Sequence, residues 1–173
     1  SFPDEAFAPG GSRMTERPKG LRVIAEPGRY FVYRAFSLAT NIIARRQSEE
    51  DNSDAVHQDG QGGADDGRPK AMYYQNDGTY GAFNCILFDH QQVHPKVLSM
   101  QRDFVYERES SVPELAQDQW RPCSVWGPTC DSMDCIMRQT HLPRALDVGD
   151  WLGYVKMGAY TFVASSPLNG LSR

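Results

Sequence analysis

The spacing of apolar residues changes along the chain. Before residue 47 it predicts one strand followed by one helix. The run from Leu21 to Ala25 is short and continuous, as in strands buried in parallel sheets. Apolar residues then recur at helical spacing, at Phe31, Ala35, Leu38, Ile42 and Ile43. Arg45 and Arg46 follow, where cations suit the carboxyl end of a helix. The pattern predicts a strand, a turn and a helix that ends near residue 46.

Beyond residue 70 the helical spacing disappears, and strand-like runs alternate with turn residues. The predicted strands cover Ala71 to Gln75, Thr79 to Phe88, Lys96 to Met100, Pro122 to Trp126, Val148 to Val155 and Ala159 to Ala164. Asn76-Asp77-Gly78 predicts a turn between the first two strands. A short helix begun by Asp131 is predicted over residues 131–139. The expected fold class is therefore mainly β with some α.

Two stretches lack a pattern for burial. Seven acidic residues and no Lys or Arg fall between Glu49 and Asp66. Such a stretch cannot bury enough apolar surface to offset the entropy of ordering it, so residues 47–70 are predicted to form a flexible acidic surface loop. An acidic interaction segment is the alternative. Residues 104–119 form a second, partly polar connection, and the chain divides into 1–46, 47–70 and 71–173.

Composition narrows the class of protein. The 173 residues are 40% hydrophobic and 11% aromatic, which fits a folded domain with a sizeable core. The net charge is -4 and no basic stripe is present, so nucleic acid is not an expected partner. No apolar stretch approaches the roughly 20 residues that cross a bilayer, and the start lacks the pattern of a secretory signal. A cytoplasmic protein without a membrane partner is expected.

Cysteine and histidine spacings indicate neither a disulfide framework nor a metal site. Four cysteines occur without C-x-x-C spacing, at Cys85, Cys123, Cys130 and Cys135. Since the chain is large enough to form a core without cross-links, reduced thiols are expected. His90 and His94 are four residues apart, but Pro95 adjoins them and no helical pattern places them on one face. No metal site is predicted.

The tetrad Glu26-Pro27-Gly28-Arg29 joins the first predicted strand to the predicted helix. Backbone N–H groups at a helix start attract a phosphate, Gly28 allows close approach of the backbone, and Arg29 adds a charged fork. Glu26 could meet a cationic ring nitrogen. A tight turn with a surface ion pair is the alternative interpretation.

Three later segments place reactive groups in rigid surroundings. Asp89 ends an apolar run after Phe88, Cys130 lies beside Asp131 in a Gly-Pro turn, and Tyr160 follows two small residues that let another group come close. Each has a structural alternative. Asp89 could cap a turn, Cys130 could be a small buried apolar residue, and Tyr160 could be a core aromatic.

Taken in order, these segments resemble the carboxyl-terminal part of the ornithine decarboxylase family, pyridoxal-phosphate enzymes that join an alanine-racemase-like barrel to a β domain. The matching segments are EPGRYFV, YYQNDGTYGAFNCILFDH, WGPTCD, VGDW and MGAYT. The segment CILFDHQ is most similar to that of fungal members. The resemblance implies that residues 1–46 are the last strand and helix of a (β/α)8 barrel. Residues 71–173 would be a C-terminal β-barrel or sandwich domain that stops before its last strand.

The same resemblance assigns a pyridoxal 5'-phosphate site. Glu26 would keep the pyridine nitrogen protonated, and the phosphate would be held by Arg29, by the backbone around Gly28 and by the hydroxyl of Tyr160. The implied cofactor-binding set is Glu26, Pro27, Gly28, Arg29 and Tyr160. Arg29 and Tyr160 must then lie close enough to touch one anion.

For the substrate, the resemblance implies L-ornithine, converted to putrescine and carbon dioxide in polyamine biosynthesis. Asp89, with Phe88 beside it, and Asp131 would receive the side-chain ammonium, and Cys130 would return a proton to the carbon left after decarboxylation. In the family Cys130 and Asp131 reach across a two-fold interface, so a homodimer with shared active sites is implied. Antizyme is a further candidate partner.

The chain departs from the family pattern at several points. None of its lysines matches the barrel motif of the Schiff-base lysine, and the first residue is not Met, so a fragment that is inactive by itself is expected. Ser132 stands where many relatives have Gly, and Leu168 stands where the family motif has Phe.

Two other functions stay open. One is a non-catalytic regulator resembling the antizyme inhibitors, which tend to lack the tetrad arginine or the acid at position 89; here Arg29 and Asp89 are both present. The other is a sister decarboxylase for lysine, arginine or a secondary-metabolite precursor.

Overall fold

The secondary structure is mainly β, as a computed structural model shows for residues 24–47, 69–105 and 119–167. Two helices occur in these ranges, α1 (Gly28–Val32) and α2 (Asn84–Asp89), together with a 3-10 turn at Phe162–Ala164. The strands are β1 (Leu38–Gln47), β2 (Ala71–Gln75), β3 (Lys96–Val97), β4 (Ser99–Met100), β5 (Asp103–Phe104), β6 (Trp120–Trp126), β7 (Cys135–Pro143) and β8 (Trp151–Tyr154). The predicted fold class is confirmed.

Six of the strands form one sheet in the order β3-β8-β1-β2-β6-β7, and β4 and β5 form a small hairpin. All neighbours in the large sheet are antiparallel except β2 and β6, which run parallel. Strand β1 is shared between two partners, because its first half pairs with β8 and its second half with β2. The centre of the sheet therefore depends on strands far apart in sequence.

The hydrophobic core is formed mainly by apolar side chains of the large sheet. These fully buried side chains include Ile42, Tyr73, Val125, Leu152 and Tyr154. The buried side chain of Gln75 lies among them, and its polar oxygen is satisfied. The hydroxyls of Thr40 and Tyr154 both donate to Oε1 of Gln75, at 2.9 and 2.8 Å.

The helix predicted to follow the tetrad and to end near residue 46 is wrong beyond Val32. Helix α1 ends at Val32, and residues 38–47 form β1 in the middle of the sheet. Apolar residues four apart, such as Leu38 and Ile42, satisfy a strand period as well as a helical one, and two partner strands decide between the two. The predicted division at residue 46 falls within this strand.

Three further element predictions are wrong. Residues 79–89 form a turn and α2 rather than a strand, and residues 135–143 form β7 rather than part of a helix. The last predicted strand, over residues 159–164, instead contains the 3-10 turn. By contrast, the strand over residues 71–75 is confirmed to the residue, and those over residues 122–126 and 148–155 are confirmed with shifted ends. The single strand predicted over residues 96–100 is divided into β3 and β4, which belong to different sheets.

Several predictions lie outside the described residues. They concern most of the strand at residues 21–25, nearly all of the acidic loop, the connection 106–118 and the segment that begins with Leu168. In the described ranges no helix has the length and apolar character needed to cross a membrane.

Candidate functional site

Four side chains from three separate segments meet at one place, here named the Arg29 cluster: Arg29, Asp89, Gln91 and Tyr160. Nη2 of Arg29 lies 2.9 Å from Oδ2 of Asp89, and Nη1 donates to Oε1 of Gln91 at 3.2 Å. The guanidinium carbon lies 4.8 Å from the centre of the Tyr160 ring, in cation–π contact. The structure therefore brings Arg29 and Tyr160 together, as the sequence interpretation requires.

Helix α2 sets the position of Asp89. The helix ends there, because His90 adopts a left-handed conformation with φ of 53°. The chain then turns back, and the N–H of Gln91 donates to the carbonyl of Cys85 at 3.1 Å. Gln91 also donates through Nε2 to the carbonyl of Lys156, which ties α2 to the segment that carries Tyr160. Sequence reasoning missed Gln91, since a lone glutamine after a histidine gives no signal.

Asn84 fixes the other side of the Tyr160 segment. Its Nδ2 donates to the carbonyls of Gly81 and Thr161, at 2.9 and 2.7 Å, and the side chain is buried. Tyr160 has a φ of 54°, a left-handed conformation that a tyrosine rarely adopts, so neighbouring contacts must hold it. Asn84 provides such a contact, and no sequence pattern distinguishes it from other asparagines.

Gly158 lets the Tyr160 segment approach helix α1. Its N–H donates to the carbonyl of Tyr33 at 3.1 Å, and a Cβ placed on Gly158 would lie 1.8 Å from the carbonyl oxygen of Val32. The prediction that small residues before Tyr160 permit a close approach is confirmed at this position. The methylene of glycine thus sets the distance between the two segments that carry Arg29 and Tyr160.

The start of α1 differs from the predicted phosphate cradle. The N–H of Gly28 already donates to the carbonyl of Glu26 at 2.9 Å, so this donor is not directed at a ligand. Helix α1 has only five residues, and Glu26 and Pro27 are exposed before it. No described atom lies within 4 Å of a Cβ built on Gly28, so the space beside it is open.

The chemistry of the Arg29 cluster fits an anionic group. A guanidinium and a phenol are both donors to phosphate, and their side chains are reachable, since the Arg29 side chain is 39% exposed and Tyr160 is 53% exposed. Asp89 now occupies one donor nitrogen of Arg29. A bound phosphate would therefore share this guanidinium with the carboxylate.

Cys130 and Asp131 lie in a second place, on the loop of residues 127–134, here named the Asp134 loop. Cys130 is exposed. Oδ1 of Asp131 accepts from the N–H of Met133 at 2.8 Å, and Oδ2 accepts from the hydroxyl of Tyr80. These two donors, the backbone N–H first, lower the pKa of Asp131, and the bond raises the pKa of Tyr80. Asp131 is thus held as an oriented carboxylate.

The two places are separate within the described residues. No hydrogen bond, ion pair or ring contact there joins Cys130 or Asp131 to Arg29, Asp89 or Tyr160. Phe88 is 78% exposed and precedes Asp89 at the end of α2. All four cysteines are free thiols, and the described residues contain no group of three potential metal ligands.

A family model of the pyridoxal-dependent decarboxylases, C-terminal sheet domain, matches residues 29–158. This chain belongs to the pyridoxal-dependent decarboxylase family. The match covers both the Arg29 cluster, except for Tyr160, and the Asp134 loop. It confirms the resemblance drawn from the sequence motifs, and pyridoxal is the cofactor of the family.

The chain is similar to two decarboxylases and to an antizyme inhibitor. It is 43% identical to an ornithine decarboxylase of Schizosaccharomyces pombe, over 87% of this chain and 29% of that protein. It is 42% identical to antizyme inhibitor 2 of Xenopus laevis, over 88% of this chain and 29% of that protein. An arginine decarboxylase of Paramecium bursaria Chlorella virus bound to agmatine matches in structure, with a TM-score of 0.61, 29% identity, and coverage of 84% of this chain and 31% of that one.

The chain spans less than a third of the length of these relatives. A sheet domain of the family accounts for the fold, because the match in structure extends over most of the chain. The family also contains decarboxylases of different substrates, so membership by itself leaves the substrate to be inferred from the site.

Proposed function

We propose that the chain is the carboxyl-terminal part of an ornithine decarboxylase, which converts L-ornithine to putrescine and carbon dioxide with pyridoxal 5'-phosphate. The single observation that carries this proposal is the meeting of Arg29, Tyr160 and Asp89 from three distant segments. A structural ion pair needs only Arg29 and Asp89. The phenol beside them, held in a left-handed conformation, supplies a second donor for an anion.

On this proposal, the cofactor-binding residues are Glu26, Pro27, Gly28, Arg29 and Tyr160. Arg29 and Tyr160 hold the phosphate, while Glu26, exposed at the start of α1, faces the ring nitrogen. When bound, pyridoxal phosphate supplies an electron sink for the bond to the departing carboxylate. Because the N–H of Gly28 is used internally, Gly28 contributes open space rather than a donor.

Two carboxylates select a substrate with a distal ammonium. Asp89 and Asp131 bind this ammonium, with Phe88 covering the approach. A substrate with a neutral side chain would leave both acids without a partner, which is costly in a closed site. Asp89 already pairs with Arg29, so the ornithine ammonium shares this carboxylate with the guanidinium, as the phosphate shares the guanidinium with Asp89.

Cys130 is the proposed proton donor to the carbon left by decarboxylation. Its thiol is exposed beside Asp131 on the Asp134 loop, and no hydrogen bond, ion pair or ring contact among the described residues joins it to the Arg29 cluster. We therefore propose that a second subunit supplies this loop, in a cytoplasmic homodimer with two shared sites. The product, putrescine, would enter polyamine biosynthesis, and antizyme is a candidate partner.

A non-catalytic regulator is the second candidate, favoured by the 42% identity to antizyme inhibitor 2. Identity does not separate the two, since it is 43% for the ornithine decarboxylase of S. pombe. The discriminating residues are Arg29 and Asp89, both present and paired. A decarboxylase of lysine or arginine is the third candidate, because a viral arginine decarboxylase matches in structure.

Arg29→Gln in the full-length protein tests the cofactor site. Because a charge-assisted hydrogen bond is lost, pyridoxal phosphate should bind about tenfold more weakly or worse. The absorbance of the bound cofactor measures this affinity. Arg34→Gln is the matched control, since Arg34 is exposed and its Nε donates to the hydroxyl of Tyr33 at 2.9 Å. Equal affinity of both variants for pyridoxal phosphate would show that Arg29 does not bind the cofactor. A wild-type protein that binds no cofactor would favour the regulator.

Carbon dioxide release from ornithine, lysine and arginine, measured side by side on the full-length protein, tests the substrate. Ornithine should have the highest kcat/KM. A preference for lysine or arginine would replace the substrate proposal while leaving the cofactor site intact.

A further inference from the structure

The carboxylate of Asp134 is fully buried and carries four hydrogen bonds. Its Oδ1 accepts from the N–H and the hydroxyl of Thr79, at 2.7 and 3.1 Å. Its Oδ2 accepts from the N–H and the hydroxyl of Thr129, at 3.0 and 2.7 Å. The side chain has 0% exposure. One buried anion thus joins the turn after β2 to the Asp134 loop.

Two glycines make room for this carboxylate. A Cβ on Gly78 would lie 2.1 Å from Oδ1 of Asp134, and a Cβ on Gly127 would lie 2.2 Å from the same oxygen. Any other residue at these positions would displace Asp134 from its donors. The two glycine turns therefore enclose the carboxylate from both segments.

A second link joins the same two segments at the surface. The hydroxyl of Tyr80, next to Thr79, donates to Asp131, which lies two residues after Thr129. Cys130 lies between the two linked positions of the loop, Thr129 and Asp131. Its position is therefore fixed by bonds on either side of it.

We propose that Asp134 is a positioning residue, which fixes Cys130 and Asp131 of the Asp134 loop for catalysis by fastening that loop to the Thr79–Tyr80 turn. This proposal rests on the function proposed above. Asp134 itself touches neither substrate nor cofactor, and it acts through the residues on its loop.

Asp134→Asn in the full-length enzyme is the direct test. The amide keeps the shape, but one oxygen becomes an NH2 group, which cannot accept from a backbone N–H, so either Thr79 or Thr129 loses its partner. We expect kcat to fall about tenfold or more and KM for ornithine to rise, because both loop residues shift together. Pyridoxal phosphate affinity should change less than kcat does, because this loop is linked to the Tyr160 segment only indirectly, through the Thr79–Tyr80 turn, Gly81 and Asn84.

Asp150→Asn is the matched control. Asp150 is also buried, at 1% exposure, and accepts from the N–H groups of Gln101, Arg102 and Asp147 at 3.0–3.1 Å. This variant should lower the melting temperature as much as Asp134→Asn does, but it should change kcat per folded enzyme less than about twofold. Equal effects of the two variants on kcat would reduce Asp134 to a structural residue and overturn the proposal.

Hydrogen exchange gives a readout that does not depend on the substrate. Exchange of the Thr79 and Thr129 amides should become about tenfold faster or more in Asp134→Asn and not in Asp150→Asn. Unchanged exchange would overturn the proposal, whereas faster exchange without ornithine turnover would count against the proposed function alone. If Asp134→Asn does not fold, Thr129→Val removes one hydroxyl donor and should give smaller changes in the same directions.

Discussion

The close approach at Gly158 gives a sharp test of how the Arg29 cluster is built. Gly158→Ala would place a Cβ 1.8 Å from the carbonyl oxygen of Val32 and 3.1 Å from a ring carbon of Phe36. The oxygen is backbone, so no side-chain rotation relieves the clash. The segment that carries Tyr160 must therefore move away from α1.

The magnitude follows from two losses. Overpacking by one methyl group costs about 1–3 kcal/mol. The displaced N–H of Gly158 gives up its hydrogen bond to Tyr33, a loss of about 0.5–1.5 kcal/mol. The free energy of unfolding should fall by about 1.5–4.5 kcal/mol. Because Tyr160 moves with Gly158, its contact with Arg29 should also open, and pyridoxal phosphate should bind more weakly.

Thermal unfolding of the full-length protein, with a titration of pyridoxal phosphate, measures both effects. Gly28→Ala is the control for stability, because its added Cβ meets nothing within 4 Å and alanine favours the helix by about 0.5–1 kcal/mol. The melting temperature should fall by several degrees for Gly158→Ala and stay level or rise for Gly28→Ala. Two variants with the same melting temperature would refute the close approach, and a destabilised Gly158→Ala with wild-type cofactor affinity would refute its link to the site.

Two further predictions concern pH. Burial raises the pKa of Cys123 from 9.0 to about 12. Between pH 9 and 12 the folded protein therefore keeps a thiol proton that the unfolded chain loses, so the free energy of unfolding should fall as the pH rises through this range. Cys123→Ala should flatten this decline, by up to about 1.4 kcal/mol per pH unit, in urea unfolding midpoints; an unchanged slope would contradict the assignment. Tyr80→Phe removes a donor that lowers the pKa of Asp131, so the acid limb of kcat/KM for ornithine should move to higher pH, and a limb at the wild-type pH would show that Asp131 does not set it.

Much of the sheet could be predicted from the sequence, where strands bury alternate residues. β2 alternates between buried and half-buried positions along all five residues, so its pattern is unambiguous. β7 has no such alternation, since its middle residues are mostly exposed, and it is a strand because it pairs with β6. α2 follows a buried turn whose hydrogen bonds converge on Asp77, and these bonds leave no periodic signal.

The candidate site could be predicted in part, through motifs rather than through physical patterns. Arg29 and Tyr160 are 131 positions apart, and only the family resemblance indicated that they share a site. The supporting residues were not foreseen. Asp134 and Asn84 bind groups far away in sequence, and a sequence does not show which glycine makes room for a distant carboxylate. The use of the Gly28 N–H by Glu26 was likewise invisible.

The shared position of β8, between β1 and β3, has a consequence for synthesis on the ribosome. Asn41 of β1 pairs with Trp151, so one edge of β1 stays open until about 110 more residues have been translated. At about 5–20 residues per second, the wait is on the order of 5–20 s. A nascent chain with an unpaired apolar strand for that long is prone to aggregate, and we expect chaperones that hold nascent chains to raise its yield.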